Sequence, residues 1–119
     1  MSKKVLVVGA SKNPSRYSYK AIVKLKENNY EVLAFGNRPG KVMGIEISTE
    51  FPNKEIDTLT LYLNSKNQKL YYDNIINLNP KRIIFNPGSE NEELTLLAHE
   101  KGIEVINACT LVMLSVGDF

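Results

Sequence analysis

Hydroxyl and basic side chains that can hold a phosphate follow the first apolar run of the chain. The stretch VLVVGASKNPSRYSYKA, residues 5–21, passes from four apolar residues through Gly9 to Ser11, Lys12 and Arg16. A strand that enters a glycine turn before a helix brings such side chains close to the unpaired amides of the helix start, which attract an anion. We therefore predict a phosphate site at this turn.

The turn differs from the common phosphate-binding patterns. In the dinucleotide pattern G-x-G-x-x-G the second and third glycines would stand where this chain has Ser11 and Pro14. No G-K-[ST] follows Gly9 at the spacing of a P-loop, which excludes that class of site. In a simpler alternative, Ser15 or Ser18 only caps the helix and the basic side chains are solvated.

A second candidate contact lies after the second apolar run, YEVLAF, where Gly36, Asn37 and Arg38 follow. An NAD site usually carries Asp or Glu at this point to accept hydrogen bonds from the ribose hydroxyls. Arginine can instead form a bidentate pair with a phosphorylated ribose, which fits the 3′-phosphate of coenzyme A or the 2′-phosphate of NADP. In the alternative interpretation, which the sequence supports equally well, Arg38 is an ordinary surface residue before Pro39.

The other reactive side chains form no catalytic set. His99 lies off the apolar stripe of its predicted helix and is interpreted as solvated. Cys109 follows a predicted strand beside a helix start, where a thiolate can be reactive, although a buried apolar role is commoner for such a residue. A response-regulator receiver is excluded because Gly9, Asn64 and Asn107 replace its acidic residues and lysine, and the magnesium ligands are missing.

Strands and helices alternate along the chain. Apolar runs predict main strands over 4–9, 30–35, 58–63, 82–85 and 104–106, and a short strand-like segment over 44–48. Helices are predicted over 17–29, 65–78, 90–101 and 109–116, the second and third beginning at the capping boxes Ser65–Gln68 and Ser89–Glu92. This order predicts an α/β protein, a Rossmann-like three-layer sandwich with a five-stranded, mostly parallel sheet. Its ligands would lie beyond the carboxyl ends of the strands, where all the candidate residues fall.

Composition limits the class of protein. The chain has 119 residues, 43% of them hydrophobic, which predicts one domain over residues 1–119. A net charge of +2 is too small to indicate a nucleic-acid partner, and a single cysteine fits a reducing compartment. The segment MSKK passes directly into the first strand and no apolar run could span a bilayer, so we expect a cytoplasmic protein.

Three segments of the chain resemble the small stand-alone CoA-binding proteins, relatives of the CoA-binding domain in the succinyl-CoA synthetase alpha subunit. These segments are VVGASKNPSRYSYKA, LAFGNRPGKVMGIEIS and KRIIFNPGSENEELTLLAHEKGIEVINACTLVML. The resemblance implies that the first turn holds the diphosphate of coenzyme A, through Gly9, Ala10, Ser11, Asn13 and Arg16.

The resemblance also assigns the rest of the ligand. It implies that the adenosine end lies on Asn37 and Arg38, with Pro39 beside them, and that the pantetheine path is lined by Asn64, Pro87 and Gly88. Family members commonly carry an N-P dipeptide after the second strand, where this chain has G-N-R-P. The phosphorylated histidine of the synthetase is absent, so ligase activity is not implied.

We therefore predict a protein that binds coenzyme A or an acyl-CoA as a carrier, sensor or regulatory module. One alternative is a small NADP-dependent reductase, whose proton donor would be Tyr17, Tyr19 or Tyr62. Another is an interaction subunit of a larger enzyme, in which the apolar tail Leu111–Val116 docks a partner or a second copy. The predicted partner is a small-molecule nucleotide ligand, with no nucleic acid and no membrane, and a homodimer or a larger enzyme complex is left open.

Overall fold

A computed structural model describes residues 3–119 of the chain as one sheet with helices on both faces. The strands are β1 (Lys4–Val8), β2 (Glu31–Phe35), β3 (Gly40–Val42), β4 (Ile45–Ser48), β5 (Thr58–Leu61), β6 (Arg82–Phe85) and β7 (Glu104–Asn107). The helices are α1 (Tyr17–Glu27), α2 (Ser65–Gln68), α3 (Tyr72–Leu78), α4 (Glu92–Glu100) and α5 (Thr110–Ser115), with a 3₁₀ turn over Lys69–Tyr71 between α2 and α3.

Within residues 3–119 the sheet has seven strands, in the order β3-β4-β2-β1-β5-β6-β7. All neighbouring strands are parallel except β3 and β4, which are antiparallel. The predicted α/β class and mostly parallel sheet are confirmed, whereas the predicted count of five strands is wrong. The six parallel strands follow the order of a dinucleotide-binding fold, which reverses between β1 and β5.

The two additional strands form a hairpin at the edge of the sheet. Its turn consists of Met43 and Gly44, both with positive φ (52° and 79°), as a two-residue turn between right-twisted strands requires. The glycine and proline content of this region predicted a loop over most of it. The chain instead pairs Val42 with Ile45, and β4 adds to the edge of β2.

The sheet is covered by apolar clusters on both faces, as the continuous apolar run of β1 predicts. On one face, Val5 and Val7 pack with Ile22 and Leu25 of α1. On the other face, Leu6 and Val8 belong to a second cluster, to which α3 and α4 contribute. No helix within residues 3–119 is long and apolar enough to cross a membrane.

The predicted capping boxes are wrong, because asparagines cap both helices. The side chain of Asn64 accepts a hydrogen bond from the amide of Asn67 at the start of α2, and the side chain of Asn91 caps α4 in the same way. The Gln68 side chain is buried and donates to the carbonyls of Leu63 and Ser89. The predicted helix over 65–78 is divided into α2, the 3₁₀ turn and α3.

Candidate functional site

The glycine turn after β1 is fixed between two neighbouring strand ends. The amides of Gly9 and Ala10 both donate to the carbonyl of Phe35 at 2.9 Å. Gly9 has a φ of +91°, and a Cβ atom on it would lie 3.2 Å from the amide nitrogen of Leu63. Glycine is therefore required here by backbone conformation and by close packing. Because their amides are occupied, Gly9 and Ala10 shape the turn without offering N–H groups to a ligand.

The loop that follows is closed by its own hydrogen bonds. The Ser11 hydroxyl accepts from the amide of Asn13 at 3.1 Å, and the Asn13 side chain accepts from the amide and hydroxyl of Ser15 at 3.0 and 2.8 Å. The amide of Arg16 donates to the carbonyl of Asn13 at 3.0 Å. Asn13 thus organises the loop and holds the start of α1 in place, while the Lys12 side chain is exposed.

The start of α1 has no side-chain cap among residues 3–119. Arg16 is the N-cap residue, and its side chain makes no capping hydrogen bond. The first intrahelical hydrogen bond runs from the amide of Lys20 to the carbonyl of Arg16. The amides of Tyr17, Ser18 and Tyr19 accordingly have no intrahelical acceptor. The alternative in which a serine caps α1 is wrong, since Ser15 bonds to Asn13 and Ser18 is buried within the helix. Open amides beside exposed basic side chains make this helix start attractive to an anion.

The loop after β2 lies directly against the first turn. A Cβ atom on Gly36 would lie 2.4 Å from the carbonyl oxygen of Ala10, and one on Gly40 would lie 3.1 Å from the Lys12 side chain. The structure therefore brings together the two segments in which the candidate phosphate and adenosine contacts were predicted. Between the two glycines, Asn37 and Arg38 are exposed.

We expect Gly36→Ala to lower the free energy of unfolding by about 2 kcal/mol, because its methyl group would force apart two backbone segments. Gly40→Ala, at the start of β3, is the matched control. Its methyl group would lie 3.1 Å from side-chain atoms of Lys12 and would not press on backbone, so the loss should stay below about 1 kcal/mol. Urea denaturation of both variants measures the difference, and equal losses would contradict a special role for the Gly36 contact.

The remaining predicted ligand contacts lie at the ends of β5 and β6. Asn64, Pro87 and Gly88 are exposed at these neighbouring strand ends. The Asn64 side-chain oxygen is already engaged in capping α2 at 2.9 Å, and the Gly88 amide donates to the Glu90 carboxylate at 2.9 Å. These residues have local structural roles, and their contact with a ligand stays a prediction.

Asn86, to which the sequence assigned no specific role, links the ends of β5 and β6 to the start of α5. Its side chain donates to the Thr60 hydroxyl at 2.7 Å and to the Leu61 carbonyl at 3.0 Å, and it accepts from the amide of Thr110 at 2.8 Å. The residue is 2% exposed. It thereby positions the start of α5, including the half-buried Cys109 that precedes Thr110. An asparagine at the end of a buried strand is the signal that could have identified it.

Tyr62 presents a buried hydroxyl group at the end of β5. It packs in the apolar cluster that includes α1 and α5, and its oxygen has no hydrogen-bond partner among residues 3–119. The nearby hydroxyls of Thr60 and Thr110 bond to each other at 2.7 Å. Burial raises the pKa of Tyr62 to about 12 and outweighs the opposite effect of these two threonines. The phenol therefore stays neutral at physiological pH.

The sheet order and the glycine turn define a Rossmann-like α/β protein. Within that class, the CoA binding domain family matches residues 3–115, and the chain belongs to this family. Among residues 3–119, no group of three or more His, Cys, Asp or Glu side chains could hold a metal ion.

Solved structures share the fold over most of the chain. A crystal structure of a protein described as uncharacterized is 48% identical, with a TM-score of 0.96, and the match covers 100% of this chain and 99% of that one. A hypothetical protein from Pyrococcus horikoshii is 25% identical, with a TM-score of 0.83 and coverage of 93% and 80%. The dinucleotide-forming acetyl-coenzyme A synthetase 1 of Ca. Korarchaeum cryptofilum shares the fold at 20% identity and a TM-score of 0.75, over 89% of this chain and 25% of that one. No match was found among curated proteins.

Proposed function

We propose that this protein binds coenzyme A or an acyl-CoA, as a carrier, sensor or regulatory module. The observation that carries the proposal is the uncapped start of α1, with Lys12 and Arg16 exposed around it, at the point where the strand order reverses. Membership in the CoA binding domain family supports this class of ligand. The diphosphate would lie on the open amides of Tyr17, Ser18 and Tyr19.

Arg38 is proposed to pair with the 3′-phosphate of coenzyme A. Arg38 lies two residues before Gly40, and the Lys12 side chain packs against Gly40. The basic side chains of Arg38 and Lys12 therefore come from adjoining segments. A guanidinium group can form two parallel hydrogen bonds with a phosphate, which a ribose hydroxyl cannot accept in the same way. From this point the pantetheine would pass the ends of β5 and β6 toward Cys109.

The reductase alternative is less well supported. A general acid must reach its substrate and release a proton near the working pH. Of the three candidate proton donors, Tyr62 is buried, and burial raises its pKa to about 12, which suits neither requirement. Tyr17 and Tyr19 lie in the first turn of α1, where the open amides favour an anion and not the substrate of a hydride transfer. A binding role needs no such group.

Thermal unfolding with matched ligands tests the proposal. At ten times its Kd, coenzyme A should stabilise the protein by about 1.4 kcal/mol, because a ligand that binds only the folded state stabilises it by RT ln(1 + L/Kd) at a free ligand concentration L. NADP and NAD at the same concentrations should stabilise it less. An equal or larger effect of NAD would overturn the coenzyme A proposal.

Arg38→Ala tests the 3′-phosphate contact separately. We expect this variant to lose about tenfold in affinity for coenzyme A and little for dephospho-coenzyme A, measured by titration calorimetry. Lys101→Ala, which removes one exposed positive charge at the far end of α4, is the matched control and should leave both affinities unchanged. Equal losses for the two ligands in Arg38→Ala would place its side chain elsewhere on the ligand.

A further inference from the structure

A groove of about 410 Å³ separates α1 from α5. Its lining includes the side chains of Tyr19 and Val23 from α1 and of Leu111 and Leu114 from α5, with Lys20 and Lys24 also facing it. This volume lies within the range of small-molecule pockets, roughly 300–1,000 Å³. The groove is thus large enough for a ligand of its own and mostly apolar where that ligand would lie.

The groove lies beside the candidate coenzyme A site, because the two helices that form its walls both begin at the carboxyl edge of the sheet. Tyr19 lies in the first turn of α1, whose open amides are the proposed diphosphate site. Leu111 is two residues after Cys109, the N-cap residue of α5 at the proposed thiol end. An acyl group on the coenzyme A thiol would therefore reach one end of the groove.

We propose that this groove binds the hydrocarbon chain of a medium-chain acyl-CoA, an inference that rests on the coenzyme A proposal. From Tyr19 to Asn28, α1 extends about 13 Å along the groove, which suits a chain of moderate length. Hydrocarbon has no polar groups to satisfy, whereas an extended peptide would bring backbone amides and carbonyls into an apolar groove. The lysine stems add apolar surface while their charged ends stay in water.

A series of acyl-CoA ligands with lengthening chains tests the inference. We expect the affinity, measured by titration calorimetry, to rise roughly fourfold for each added methylene until the groove is filled. Unacylated coenzyme A is measured in the same series. Binding of coenzyme A with no dependence on chain length would overturn the groove inference and leave the coenzyme A proposal intact, whereas absence of all binding would overturn both.

Variants of Val23 locate the chain within the groove. Val23→Trp fills the groove and should abolish the dependence on chain length while leaving coenzyme A affinity unchanged. Val23→Thr keeps the side-chain volume, so it serves as a second variant if Val23→Trp does not fold. It should reduce the gain in acyl-CoA affinity for each added methylene. Val112→Thr is the control, because Val112 is exposed on α5 outside the groove lining. The inference would be overturned if the dependence of affinity on chain length were unchanged in both Val23 variants. It would also be overturned if the wild-type protein self-associated and Val23→Trp abolished that self-association, because the groove would then bind a second copy of the chain.

Discussion

Replacing Asn86 with alanine should lower the free energy of unfolding by about 3 kcal/mol. The wild-type side chain makes three hydrogen bonds in a position that is 2% exposed. Its removal would leave the amide of Thr110 and the carbonyl of Leu61 buried, each without this partner, and would open a cavity. Each orphaned polar group costs about 1–3 kcal/mol, and incomplete relaxation around the cavity adds to that cost.

The same substitution should loosen the start of α5, because the Thr110 amide would lose its acceptor. Urea denaturation measures the stability loss, and amide hydrogen exchange of residues 110–113 reports the loosening. Asn37→Ala is the matched control, since Asn37 is exposed in the loop after β2 and should change stability by less than about 0.5 kcal/mol. A loss below about 1 kcal/mol for Asn86→Ala would show that water replaces the side chain at little cost.

The strands that surround the site could be predicted from the sequence because burial on both faces makes them continuous apolar runs. β1 and β6 match their predicted spans to within a residue. The hairpin of β3 and β4 was largely missed, since its turn needs two residues of positive φ and one of them is Met43, which carries no turn signal. Asn64 and Asn91 took the capping positions assigned to Ser65 and Ser89, because asparagine competes equally well for such positions.

The internal architecture of the site depends on contacts between distant segments, which local patterns do not encode. The apposition of Gly36 and Ala10 arises only when β1 and β2 pair in their observed register. The Thr60 and Thr110 hydroxyls meet across 50 residues of sequence when α5 packs over β5. The position of the glycine turn was predictable from its own residues, whereas the roles of Asn86 and Tyr62 required the packing of α5.

Tyr62 should make the protein unstable in alkali. The folded state raises the pKa of its phenol from 10.0 to about 12, so between these values the folded protein retains a proton that the unfolded chain has lost. The free energy of unfolding therefore falls as pH rises through this interval, and the contribution of Tyr62 is fully present below about pH 10. A shift of this size corresponds to at most about 3 kcal/mol.

Tyr62→Phe isolates this contribution, because phenylalanine keeps the ring and removes the ionisable group. At neutral pH the variant should be as stable as the wild type or up to about 1 kcal/mol more stable, since it lacks a buried hydroxyl that has no partner within residues 3–119. Above about pH 10 its advantage should grow by up to about 3 kcal/mol, measured by urea denaturation at each pH. Tyr17→Phe, at an exposed tyrosine, should follow the wild-type curve. A clear loss of stability for Tyr62→Phe at neutral pH would mean that the hydroxyl donates to a bound water, a partner that residues 3–119 do not supply.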